Sequence, residues 1–425
     1  MRARNATATA HATPPFSALS NVERATFAAD GPVRAAAHPR VSLFMSPLGA
    51  TPRTFTNNPP VPPTQPVTLA SLTTATVVYG AFFFGLLFLA LVLPGKIVPG
   101  FPQPDGQRKS YKVNGMALWV ATHMFVVAGV LLADLSLSPL IDNFWSYFLV
   151  VNVWSGLWTV VLYVRGRAKG CIPKPGLFGL VRDLWMGIEL NPTWRGVDLK
   201  VWAYQPSLIG LSVLNAAFAF VQYETLGTLL PQTVAYLSFW WLYMTSHYWY
   251  ETGVLSMWDV IAEKFGFMLV WGDLTLVTFF YCIGGWWLLS TTEPMSMMAL
   301  VPLCGLHALG LWIFRGANAQ KDQFKRDRSA KIWGRDPETV GGRLLVSGWW
   351  GIGRKINYTG EIMVYFSFAL CTGFQSFVPY LLPLWLCVLL PHRAWRDEKR
   401  CRDKYGALWD EYTARAKFRM IPFVY

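Results

Sequence analysis

From about residue 70 onward the chain is written in apolar runs of some twenty residues. One run of that length is what a helix needs to cross roughly 30 Å of hydrocarbon. The runs lie at about 70–93, 115–135, 144–164, 203–222, 229–249, 266–289 and 296–315, followed by a region at 361–391 long enough for two crossings. Backbone hydrogen bonds find no water in lipid and must close inside each segment, and no stretch shows the alternation of a barrel strand. The expected fold class is therefore an all-α integral membrane bundle of about eight to ten transmembrane helices.

Composition agrees, because 53% hydrophobic and 14% charged residues do not furnish a water-facing surface. Lys and Arg number 37 against 24 Asp and Glu, a net charge of +13. These charges cluster between the apolar runs, which assigns them to membrane-flanking loops or an anionic-ligand site rather than to nucleic acid. The loops at 94–114, 165–200 and 316–355 are basic, whereas those near 136–143, 223–228 and 290–295 hold no Lys or Arg. Alternate loops are thus cytoplasmic, and the C-terminal tail joins that side if 361–391 crosses twice. The six cysteines form no Cys-x-x-Cys pair, and His123, His247 and His307 sit on separate runs, so neither a disulfide framework nor a metal site is expected. Nucleophile-elbow, His-Glu-x-x-His and P-loop patterns are lacking, which lowers hydrolase and ATPase readings.

Residues 1–68 are rich in Ala, Thr, Pro, Ser and Arg, contain no Lys, and offer only Glu23 and Asp30 as acids. That composition cannot pack a core, and it reads as a disordered tail or an organelle-targeting segment.

The polar chemistry concentrates in the last third. Basic residues at 318–336, 343–361 and 392–412 are interleaved with Trp349, Trp350, Asn357, Tyr358, Tyr405, Trp409 and Tyr412. A nucleotide needs cations for phosphates, aromatic planes for rings, and amide or acid groups for ribose, and this mixture supplies all three. The plainer alternatives are topogenic charge and, for Trp349, an interface belt. Asp273 lies inside the apolar run 265–281, where burying a carboxyl is costly, so it is a functional candidate or an inter-helix packing group. Glu189, Asn191 and Asp198 crowd one short loop, and Tyr243 and Glu251 lie near the end of a run.

Many motifs together resemble the membrane sterol reductase family: sterol C14-reductases, the sterol domain of the lamin B receptor, 7-dehydrocholesterol reductases and C24(28)-reductases. They run from Leu93-Pro94-Gly95 and Tyr111-Lys112-Val113-Asn114-Gly115, through Gly187-Ile188-Glu189-Leu190-Asn191-Pro192 and Gly272-Asp273, to Ala317-Asn318-Ala319-Gln320-Lys321. Leu344 to Gly351, Asn357-Tyr358 and the tail from His392 to Tyr412 continue the series. The likeness covers about 330 residues and leaves out the first 68. It implies a ten-helix membrane fold, a domain at 69–425, and a cytosol-facing NADPH pocket in the C-terminal half, about 266–425. It also implies a sterol substrate whose double bond is reduced, and residence in the endoplasmic reticulum. The implied cofactor contacts are Lys321, Lys325, Leu345, Trp350, Asn357, Tyr358, Asp397, Cys401, Lys404, Tyr405 and Tyr412. Arg often stands where Lys325 is, and Arg326 could substitute for the lost guanidinium fork.

An isolated alkene does not accept hydride, so an acid must protonate one carbon while NADPH delivers hydride to the cation that results. A tyrosine is already protonated at neutral pH, and a carboxyl in an apolar pocket can be. The candidates for acid and relay are Tyr243, Asp273 and Asp397, and the resemblance favours Asp397 and Tyr243. Which bond is reduced is divided among signals. Arg354-Lys355, Glu361, Thr372-Gly373-Phe374 and Ser376 are similar to C24(28)-reductases, Gly272-Asp273 and Arg315-Gly316-Ala317-Asn318 to C14-reductases, and Ile332-Trp333-Gly334 to C7-reductases. The preference is C14. Only one run precedes Leu93-Pro94-Gly95 where the family has a pair. A sterol-binding protein without catalysis and an isoprenylcysteine-type methyltransferase are the competing classes.

Overall fold

The computed structural model describes residues 64–102, 106–422 and 424; the expected targeting segment falls almost wholly outside them. The chain is predominantly helical. Among the described residues six helices are long and apolar enough to cross a membrane. They are α1 (Leu69–Val92), α2 (Gly115–Leu132), α3 (Phe144–Ala168), α4 (Leu199–Leu226), α6 (Phe267–Leu288) and α7 (Met297–Arg326). Between α4 and α6 lies α5 (Pro231–Trp249); after α7 come α8 (Ile356–Leu370), α9 (Leu381–Tyr405) and α10 (Ala407–Arg415).

Six is fewer than the eight or more crossings expected, for reasons visible in the sequence. Polar Gln232, Thr233, Ser246 and His247 dilute α5. The apolar region 361–391 breaks between Leu370 and Val378, leaving α8 with 15 residues and starting α9 in apolar sequence that becomes charged after Pro391. Two further expectations are adjusted. The basic loop 94–114 contains an antiparallel hairpin, β1 (Lys96–Pro102) with β2 (Arg108–Val113). The basic segment beginning at 318 is helical as far as Arg326, so α7 carries its cations rigidly out beyond the apolar stretch.

α7 and α8 pack with their backbones almost touching. A Cβ on Gly310 would meet the Gly360 carbonyl at 2.9 Å, and one on Gly360 would meet the Phe314 nitrogen at 2.6 Å. Small residues permit this approach between helices that have no hydrophobic drive to associate in lipid. The consequence is that the end of α7 and the start of α8 are held together.

The loop 187–198 is explained by structure. Glu189 pairs with Arg165 at 2.7 Å and Lys169 at 3.0 Å, while Asp198 caps α4 through the Lys200 and Val201 N–H groups and pairs with Lys109. Glu251 does the same for α2 from a distance. It accepts the Gly115 N–H at 2.8 Å and the Gln205 amide at 3.2 Å. Beside it is a cavity of about 20 Å³ lined by Gln205, Asp198, Lys112 and Asn114 among others.

Burial pushes Glu251 up to about 7, against the Gly115 and Gln205 hydrogen bonds that favour its charged form. The folded state therefore holds this proton to higher pH than the unfolded chain. Its contribution is full below about pH 4.5 and is lost as pH rises to about 7. Melting of the detergent-solubilised protein should lose up to about 1.4 kcal/mol per pH unit in that window relative to Glu251→Gln. Parallel melting curves for the two proteins would refute this.

Candidate functional site

The final turns of α7, the loop 327–355, the start of α8 and the charged end of α9 converge on one polar cluster. Lys321 projects from α7 with its Nζ 4.2 Å from the centre of the Trp350 ring. That ring is fixed because its indole N–H donates to the Ala317 carbonyl at 2.8 Å. Gln320 accepts the Trp349 backbone N–H at 2.9 Å and ties the loop to α7. Trp349 itself is buried, edge-on to Trp312 and Trp333, so it is packing and not an interface belt.

Facing Lys321 is the ion pair of Lys355 with Asp397, and Arg400 lies 3.8 Å from the other carboxylate oxygen. Lys355 Nζ is 5.8 Å from the Tyr358 ring. Burial works against ionisation of Asp397, but the Lys355 ammonium and its hydrogen bond outweigh it and hold the carboxyl below the usual range. Burial pushes the neighbouring Cys401 thiol up, so it stands neutral. Leu345 is buried with Trp349 and Trp350, and Tyr412 is buried against Trp409 with ring centres 5.0 Å apart. Tyr405 and Cys401 pack beside that pair.

A clamp built from Arg354 fixes α9 against this cluster. Its Nη2 and Nε reach Glu398 at 2.8 and 3.0 Å, its Nη1 donates to the Lys417 carbonyl at 2.9 Å, and Arg419 reaches the other Glu398 oxygen at 2.7 Å. Arg354→Ala leaves Glu398 with one cation, and the Ala416 and Lys417 carbonyls, which both accept from Nη1, without that donor. A loss of about 3 kcal/mol is expected, read as a lowered melting temperature, and Arg354→Lys should recover only part of it.

The sequence candidates divide on this geometry. Lys321, Leu345, Trp350, Tyr358, Asp397, Cys401 and Tyr412 come together, and Lys325 follows Lys321 by one helical turn. Asn357 reaches Asn318 at 3.2 Å while its own Oδ1 is buried without a partner. Lys404 is exposed over the Tyr405 ring at 5.0 Å. Arg326 is turned away: it pairs with Asp322 at 2.9 Å on the exposed side of α7, and so does not stand in for Lys325. Lys355, the partner of Asp397, is not among the sequence candidates for the site, although Arg354-Lys355 stands one residue ahead of Asn357-Tyr358.

Tyr243 and Asp273 lie elsewhere. The Tyr243 ring is edge-on to Trp240 and Tyr365 at 6.0 and 5.8 Å and stacked on Phe314 at 6.2 Å. The Arg315 guanidinium lies 5.9 Å from its centre, steered by a 2.9 Å bond to Ser246. Glu361 faces Tyr243, Arg315 and Arg393. Asp273 is buried in a π-helical stretch of α6, Gly272–Phe280, with Lys200 and Asp259 as its charged neighbours. Such π turns are frequent at functional sites. Among the described residues no group of three His, Cys, Asp or Glu side chains is placed to hold a metal ion.

The chemistry of the donor set suits a dinucleotide. Buried cations, a fixed indole, two tyrosines and an amide oxygen lacking a partner match phosphates, aromatic rings and a carboxamide or hydroxyl donor. Membrane-length helices joined to a cluster of this kind define an integral membrane protein with a cationic, aromatic site whose chemistry suits an anionic, ring-bearing ligand.

Comparison with known proteins makes the assignment specific. Residues 60–425 match the model of the ergosterol biosynthesis ERG4/ERG24 family. A Delta(14)-sterol reductase of Arabidopsis thaliana is 38% identical over 345 residues, 78% of this chain and 91% of that protein. A Delta(14)-sterol reductase of Dictyostelium discoideum is 34% identical over 359 residues, covering 82% and 77%. A probable 7-dehydrocholesterol reductase of Acanthamoeba polyphaga mimivirus is 32% identical over 342 residues, covering 78% and 76%. The chain belongs to the ERG4/ERG24 family, and it is a membrane oxidoreductase of sterol biosynthesis that uses a reduced nicotinamide cofactor.

Proposed function

We propose that the chain is an NADPH-dependent sterol reductase acting on the Δ14 double bond. Support for the bond comes from the names of relatives at 33–38% identity. The observation that carries the cofactor reading is the cluster of Lys321 over Trp350 beside the Lys355–Asp397 pair. In this reading residues 69–425 form the reductase domain. Adding α5, α8 and α9 to the six membrane-length helices gives nine crossings, and the protein resides in the endoplasmic reticulum.

Lys321, Lys325 and Lys404 would hold phosphates, Leu345 and Trp350 a ring face, and Asn357, Tyr358, Cys401, Tyr405 and Tyr412 the sugar and amide groups. NADPH, when bound, supplies hydride to the carbocation. The protein's own task is to protonate the alkene and keep water out. Asp397, paired with Lys355, is ionised at neutral pH and has no proton to give while that pair stands. We therefore assign it to orienting Lys355 and the cofactor. Tyr243 is the acid: its phenol is neutral and lies in the aromatic core, whose rings stabilise a developing cation. Glu361, the carboxyl that faces Tyr243, is the neighbouring group through which the phenol would be reprotonated. Asp273, beside Lys200 and Asp259, is placed to help order α6.

A second reading, reduction of the Δ7 bond, is favoured by the viral relative's name. Sterol profiles of yeast lacking C14- or C24(28)-reductase, each expressing the full chain, separate the possibilities. Loss of the accumulated Δ14-sterol supports the proposal. Loss of the 24(28)-alkene instead, or no change in either strain with the protein membrane-inserted, refutes it; the second result directs attention to Δ7-sterols.

A further inference from the structure

The hairpin β1–β2 precedes the cofactor cluster by some two hundred residues of chain, yet it reaches that cluster. The ring of Phe101 lies 5.0 Å from Lys325 Nζ at the last turn of α7. Lys325 is within electrostatic range of Lys355, Asp397 and Lys404, so the ring borders the same site.

Three features hold it there. The base of the hairpin is anchored by Tyr111, which is 4% exposed and packs with Val201, Val254, Leu255 and Val260. Lys109 lies over the Tyr111 ring at 5.4 Å and pairs with Asp198 at the start of α4. Gly100 then rests on the Tyr111 ring, where a Cβ would come within 2.5 Å of Cε2, and the strand register slips between Pro99 and Pro102. A bulge of this kind re-aims the side chain it contains, here Phe101.

Position along α7 says which part of a dinucleotide the ring would meet. The nicotinamide must face the sterol in the bilayer, so the adenine end points outward. Lys321 precedes Lys325 by one turn on a helix that leaves the membrane, which puts Lys325 and Phe101 at the outer end. We propose that Phe101 is a cofactor-positioning residue whose ring stacks on the adenine of the bound dinucleotide beside Lys325. This rests on the cofactor-site reading above. The interaction explains why a half-buried phenylalanine stands against a lysine at the rim of the cationic cluster. Base stacking on an aromatic ring tolerates exchange of one ring for another but not loss of the ring.

The test uses the full chain in microsomes. Phe101→Ala should raise the KM for NADPH about tenfold, with kcat within twofold of wild type. The dissociation constant of 2′,5′-adenosine bisphosphate, measured by calorimetry on the detergent-solubilised full chain in the absence of sterol and NADPH, should rise in parallel, and Phe101→Tyr or Phe101→Trp should restore both. The KM for reduced nicotinamide mononucleotide, which has no adenine, should not change. An unchanged KM for NADPH, or an equal rise for both donors, overturns the inference. Phe101→Leu, which keeps the apolar volume, guards against a folding defect and should behave like Phe101→Ala. Lys321→Ala distinguishes the two levels. If it raises the NADPH KM while Phe101→Ala does not, only this inference falls; if neither does, the cofactor-site reading falls with it.

Discussion

Tyr243→Phe should lower kcat for sterol reduction by two to three orders of magnitude while leaving the KM for NADPH within about twofold. The size follows from what a positioned acid contributes, about 10²–10⁴-fold. The split between constants follows from placement, because Tyr243 stands on α5 among Trp240, Phe314 and Tyr365 and not in the Lys321–Trp350 cluster. Phenylalanine retains the ring and its packing, so the variant removes one hydroxyl from a core that is otherwise filled. The remaining activity should show a larger solvent isotope effect, since proton delivery then limits the rate. The measurement is initial rate against NADPH and sterol in microsomes matched for protein level. A kcat within threefold of wild type would remove Tyr243 from the mechanism, and Asp273→Asn would then be the next variant to assay.

How much of this was legible in the sequence depends on which physical signal each feature left. Apolar length is a one-dimensional quantity, so α1, α2, α3, α4, α6 and α7 are legible in the sequence, with every end within about four residues except the end of α7. The end of α7 is not, because Lys321 to Arg326 read as a loop by charge although helix propensity for Lys, Gln and Arg is high. The hairpin 96–113 was missed for a similar reason. Pro99, Pro102 and several glycines advertise a turn, and the alternation of Val98, Tyr111 and Val113 toward one buried cluster is only evident once Val254 and Val260 are seen beneath it. In the site, residue types carried the reading as far as cations and aromatic rings in one region. They could not say that Lys355 rather than Arg326 completes it, because that depends on the α7–α8 contact at Gly310 and Gly360 turning one cation inward and leaving the other on Asp322. Glu361 and Arg393 carry a sequence signal only as parts of family motifs, and nothing in those motifs places Glu361 facing Tyr243 and Arg393.

Asp397→Ala should abolish measurable turnover, a loss of at least a hundredfold, and should also lower stability by about 3 kcal/mol, because it leaves Lys355 as a buried cation without its counter-charge. The two effects can be separated. In Asp397→Ala combined with Lys355→Met the uncompensated charge is gone, so folding should recover in large part while activity does not, since the group that orders the cofactor's surroundings is still missing. Asp397→Asn keeps the shape and can still accept a hydrogen bond, yet it removes the negative charge that draws Lys355, Lys321 and Arg400 toward one point. It should bind NADPH at least tenfold more weakly. The pH dependence has a definite sign. The folded-state carboxyl is held below its unfolded value, so the pair contributes its full stability above about pH 4, and that contribution is lost only as pH falls through the lowered value. Wild type should therefore lose stability faster than the double variant on acidification below pH 4, with no difference in slope near neutrality. If the double variant regains turnover along with its melting temperature, Asp397 is a structural partner of Lys355 and nothing more, and its place in the cofactor site must be given up.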